Sequence, residues 1–177
     1  MTGDTTAQID VLRDELKTLK DEQRDRIRSR DGLVYSVVAA IVAAVGGARV
    51  AGDAVALLLP PIVLALGWTY LANDRAISAI GQYLRTDLGP RLTELTGAEM
   101  LRWESVHRSD DRRRQRKAIQ LGVDLAAFVM PALAAVVWYM ACGEPRPVLV
   151  LAGVAEAAVA VLTAWQFAVY AETGKAR

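Results

Sequence analysis

One cysteine and one histidine occur in 177 residues, and their scarcity excludes several chemistries. Cys142 alone cannot close an intrachain disulfide or build a thiolate metal cluster. His107 alone gives a histidine metal site or a histidine-assisted nucleophile little to build on. The sequence also lacks a glycine-rich phosphate loop, a paired-histidine metal motif and a nucleophile elbow. No catalytic, cofactor-binding or metal-binding residue is assigned, no cofactor is expected, and an enzyme is not the expected class. With 21 Lys and Arg against 20 Asp and Glu, basic excess is missing too, so nucleic acid is not an expected partner.

What the chain does have is 53% hydrophobic residues alongside an ordinary 23% of charged ones, and the two are kept apart. Nearly all charge falls in 1–32, in 73–117 or in the last few residues. Between them lie four apolar runs, 33–50, 54–72, 119–142 and 148–171, each about 18–24 residues long. At about 1.5 Å of helical rise per residue, each run can cross a hydrocarbon core about 30 Å thick. Soluble helices of this kind would keep no polar face for water. A cleavable leader is not expected, because the first run follows a long charged segment and no cleavage site follows a short apolar core.

The expected fold is all-α and polytopic, with four transmembrane helices as two hairpins, at 33–72 and 119–171. An amphipathic, coiled-coil-like cytoplasmic helix at 1–32, a cytoplasmic helical insert at 73–118 and a tail at 172–177 complete the domain plan. Ala51-Gly52-Asp53 and Gly143-Glu144-Pro145-Arg146-Pro147 are the two short turns. Of the 21 Lys and Arg, only Arg49 and Arg146 lie outside the N-terminal segment, the insert and the tail. Positive charge stays on the cytoplasmic side, which puts both termini and the insert inside the cell membrane. Tyr35, Trp68, Tyr70, Trp165 and Tyr170 then fall at the inner interface, and Trp138 and Tyr139 at the outer one.

The N-terminal segment reads as a helix from about Thr6 to Arg30, capped by Asp4 or Thr5. Ile9, Leu12, Leu16 and Leu19 repeat at heptad spacing. Two heptads are too few for a free coiled coil, so the stripe packs on a second copy, making a homo-oligomer, or on the central insert. Acid–base pairs three apart, such as Asp21 with Arg24, support the helix. In the insert, Ile77, Ile80, Leu84 and Leu88 form one apolar face, and Gly89-Pro90 breaks or bends it. Met100, Trp103 and Val106 repeat at helical spacing beyond Gly97, and Ser109-Asp110-Asp111 opens a further helix. Arg112, Arg113, Arg114, Arg116 and Lys117 lead into the third span. They mark topology and are candidate contacts for anionic lipid headgroups.

Three charges lie inside the apolar runs: Arg49, Asp124 and Glu156. Asp124 is roughly 8 Å below the inner boundary and Glu156 roughly 12 Å below the outer one, by helical rise. A carboxylate at Glu156's depth should face the bundle and find a partner. Gly153, Ala157, Ala160, Ala164 and Ala168 on the fourth run, and Ala39, Ala43 and Gly47 on the first, let helices approach closely. Arg49 and Glu156, about 7 Å apart along the axis, are therefore expected to pair. Pro60-Pro61 and Pro131 should bend the second and third runs.

Tyr70-Leu71-Ala72-Asn73-Asp74-Arg75, Ile80-Gly81-Gln82-Tyr83-Leu84-Arg85, Leu88-Gly89-Pro90-Arg91-Leu92 and Arg102-Trp103-Glu104 together resemble small actinobacterial four-helix membrane proteins of unassigned function. The layout also resembles, in architecture only, small membrane effectors of bacterial conflict systems. The first function these features imply is an interaction protein: spans that hold a cytoplasmic helical module where a cytosolic protein partner binds. The alternative is a pore or transporter subunit working through Glu156 and Asp124.

Overall fold

A computed structural model describes residues 2–98 and 113–173, with side chains from 5–98 and 115–171. Every element among the described residues is helical. Four helical stretches are long and apolar enough to cross a membrane. The second half of the insert, with Met100, Trp103, Val106, His107, Ser109, Asp110, Asp111 and Arg112, lies outside the described residues, as do the side chains of Arg113 and Arg114.

Helix α1 runs unbroken from Thr2 to Ala51, where the sequence suggested a cytoplasmic helix followed by a separate span. Gly32, the weakest helix former at that junction, is exposed and helical. Its cost is about 1 kcal/mol relative to alanine. Two new helix ends would orphan several backbone donors and acceptors, so continuity is favoured. The turn is made at Gly52, whose φ of 96° suits glycine. A 3-10 segment, Asp53–Leu58, then leads into α2, Leu59–Tyr83. Pro60 and Pro61 thus occupy the first turn of α2, where a missing N–H breaks no intrahelical bond.

Pro90 and Pro131 change the helix type. A π-helical turn, Leu84–Leu88, precedes α3, Gly89–Thr96, with Pro90 in its first turn. A second π-helical turn, Leu125–Val129, joins α4, Arg113–Asp124, to α5, Met130–Cys142, with Pro131 just inside. In both, the residue before proline donates to the carbonyl five back: Gly89 to Leu84 and Met130 to Leu125. A proline ring clashes with the carbonyl four residues earlier in an α-helix, and the wider π turn makes room. Of the break or bend expected at Gly89-Pro90, no break occurs: helix continues through the π turn to Thr96 and stops at Gly97, φ 67°. Helix α6 spans Pro147–Thr173.

The chain divides into two compact units. One comprises 1–30 and 72–113, the other 31–71 and 114–177. In the second, α1, α2, α5 and α6 surround a core of Val37, Val63, Leu71, Phe128, Ala132, Ala160 and Phe167. Tyr70 and Phe128 meet at 4.9 Å between centroids, and Phe128 stacks on Phe167 at 6.1 Å. Gly67 admits this cluster, since a Cβ there would lie 2.9 Å from that of Phe128.

Two aromatics expected at membrane interfaces prove to be internal. Tyr70 is buried in the ring cluster, and Tyr139, also buried, donates to the Glu144 carbonyl at 2.6 Å and so closes the 143–146 turn. Tyr35, Trp68, Trp138 and Trp165 do stay exposed.

Candidate functional site

In the first unit, Leu84, Leu88 and Leu92 are fully buried against Leu12, Leu16 and Leu19. Three of the four stripe residues therefore pack on the insert of the same chain, one of the two mates that the sequence left open. Leu84 and Leu88 belong to the apolar face expected of the insert, and Leu92, beyond the π turn, extends it. Beside the seam, Tyr83 donates to Glu15 at 2.8 Å and Gln23 donates to the Ile77 carbonyl at 3.4 Å. Arg26 reaches Asn73 at 3.4 Å, and Arg30 meets Asp74 at 3.0 Å as a largely buried ion pair. None of these four pairings between the N-terminal segment and the insert was anticipated. They join residues 44 to 68 apart in sequence, and only the folded hairpin brings them together.

The Glu15 bond raises the Tyr83 phenol above its ordinary value, helped by burial and by the charges of Glu15 and Asp87, with Arg91 opposing. At the end of this unit lies a groove of about 580 Å³. Apolar Ala7, Val11, Leu12 and Leu95 line it together with polar Gln8, Arg91 and Glu94. Val11 is 67% exposed.

In the second unit, Glu156 sits on α6 in a groove of about 470 Å³. Pro61, Leu64, Ala65 and Trp68 of α2 form one wall, and Ala155, Val159 and Thr163 flank the carboxylate on the other. Glu156 Oε2 is buried and accepts no hydrogen bond. The Thr163 hydroxyl donates instead to its own helix, to the Val159 carbonyl at 2.9 Å. Arg49 lies elsewhere. It is exposed and lines a separate cavity of about 360 Å³ with Ile41, Asp53, Pro131 and Trp138. The expected Arg49–Glu156 pair is not formed among the described residues. Axial height was compatible, but Glu156 faces α2, and height alone says nothing of azimuth.

Asp124 is buried, 8% exposed, and has a partner, but it does not line the Glu156 groove. Arg116 and Lys117 stand in the first turns of α4, and both are engaged. Of the small residues, Gly153 and Ala160 are buried in packing within the chain, whereas Ala39 and Ala43 are exposed. Gly47 packs against Val55, where an added Cβ would lie 2.8 Å from Val55 Cγ1. Trp138 Nε1 donates to Asp53 at 2.9 Å and so ties α5 to the turn at Gly52. No protein-family model matches the chain, and no curated protein or solved structure shows significant similarity to it.

Proposed function

We propose that this is an integral membrane protein that presents a helical module to the cytoplasm for binding a protein partner. The observation that carries the reading is the first unit itself. It has its own leucine core and four polar fastenings, and it is built from residues that spanning does not require. Spanning is supported by the surface of the apolar helices: only 6% of the most apolar stretch of α1 and 17% of that of α6 is buried. Such surface is stable when lipid covers it. The distribution of Lys and Arg supports cytoplasmic termini.

The partner we assign to the Val11 groove is an amphipathic helix with an apolar stripe and charges of both signs beside it. That chemistry matches an apolar lining that also carries Arg91 and Glu94. The test is affinity capture with wild type, Val11→Arg and Glu156→Gln in parallel, then rebinding of the captured protein after purification. Binding that survives Glu156→Gln but falls at least tenfold with Val11→Arg supports the module. A purified partner indifferent to Val11→Arg removes the groove from consideration.

A further inference from the structure

The groove at Glu156 combines features that suit one kind of ligand. Its walls are apolar apart from the carboxylate and the Thr163 hydroxyl, and that hydroxyl is already engaged with its own helix. Oε2 is buried without a donor, and no cation among the described residues comes to it. Trp68, 54% exposed, offers an indole on the opposite wall. A volume of about 470 Å³ is in the range of about 300–1,000 Å³ typical of small-molecule sites.

We infer that this groove binds a lipophilic organic cation, one whose charge is shielded by apolar or aromatic substituents. A small hydrated inorganic cation would need several oxygen ligands, and the groove supplies one carboxylate. A neutral apolar molecule would leave Oε2 uncompensated, as it is in the empty groove. A delocalised organic cation loses little hydration on entering apolar surroundings. It gains the carboxylate on one side and the face of Trp68 on the other. The groove lies on the unit that carries the four apolar runs, so its ligand is one that partitions into a bilayer.

The competing occupant is a second copy of the chain, bringing its own Arg49 to the carboxylate. The experiment separates the two. Purified full-length protein in an uncharged detergent is titrated with tetraphenylphosphonium, with the uncharged triphenylphosphine oxide as control, and binding is read by equilibrium dialysis and by Trp fluorescence. Wild type should bind the cation at least tenfold more tightly than Glu156→Gln, while the oxide should not distinguish them. Trp68→Phe should retain binding with a several-fold loss, since phenylalanine offers the weaker face. Melting temperatures of both variants should stay at or above wild type, because Glu156→Gln removes only a charge without a donor at Oε2 and Trp68 is exposed. Equal affinity of wild type and Glu156→Gln for the cation would overturn the assignment. So would spontaneous disulfide dimers of Ala155→Cys in a Cys142→Ser background, which would show that a second copy covers the groove.

Discussion

Tyr83 is where the first unit exposes its chemistry most directly. The neutral phenol donates to Glu15, and the interaction raises its ionisation above the ordinary tyrosine value near 10. Folding thus stabilises the protonated form. The contribution is complete below the unfolded value, so neutral and mildly alkaline solutions keep it. It is lost as pH rises above 10 through the folded value, because the phenolate can no longer donate and meets Glu15 as a like charge. An absorbance titration of wild type should contain a tyrosine phase above the ordinary range, and Tyr83→Phe should abolish that phase. A Tyr83→Phe protein with an unchanged titration would place the late phenol elsewhere. Glycines give a second residue-level contrast. At Gly67 an alanine methyl would meet Phe128 Cβ at 2.9 Å, whereas at Gly46 it would meet nothing within 4 Å. Overpacking costs about 1–3 kcal/mol, so Gly67→Ala should melt several degrees lower while Gly46→Ala stays near wild type.

At the scale of the element, the apolar runs, both turns and the amphipathic faces were legible because each is a local pattern with a fixed period. The helical state of the junctions was less so. Gly32 and the Gly89-Pro90 pair carry signals for ending a helix, and each was outweighed by the cost of orphaned backbone groups. The mate of the Leu12–Leu16–Leu19 stripe was narrowed by sequence to the insert or a second copy, and what the pattern did not contain was Leu92, which joins the seam beyond the π turn. The Arg49–Glu156 expectation failed on azimuth, which helical rise does not contain. The in-chain seam makes its own prediction. Leu88 is fully buried there, so Leu88→Ala should cost about 2–5 kcal/mol of cavity and transfer energy. Hydrogen exchange should then speed up in 5–30 and 73–96 while the spans stay protected. Charged substitutions at Leu12 and Leu16 should do the same and leave crosslinked dimers unchanged. Dimers that disappear with Leu16→Asp would return the stripe to an intermolecular role.

For the whole molecule, orientation in the membrane is the property on which the proposed function most depends. Two contacts make it unusually simple to measure. Trp138, four residues before Cys142, donates to Asp53 beside the Gly52 turn, and Tyr139 clamps the 143–146 turn. The 52–53 and 143–146 turns therefore lie at one end of the second unit, and a single site reports on both. Cys142 is exposed at that end, so in the proposed orientation the native thiol reports on the outside without any substitution. Thr18 and Thr96, both exposed, serve for the inside when changed to cysteine in a Cys142→Ser background. An impermeant maleimide on intact cells should label Cys142 and spare Thr18→Cys and Thr96→Cys, and permeabilised cells should label all three. The expected asymmetry follows from charge. The N-terminal segment carries seven Lys and Arg, and each turn end offers only one, Arg49 or Arg146. Inverting the protein would carry the whole basic segment across the bilayer, and the positive-inside bias opposes that strongly. Labelling of Thr18→Cys in intact cells would reverse the orientation. The Val11 groove would then face outward, and a cytosolic partner would be ruled out by geometry alone.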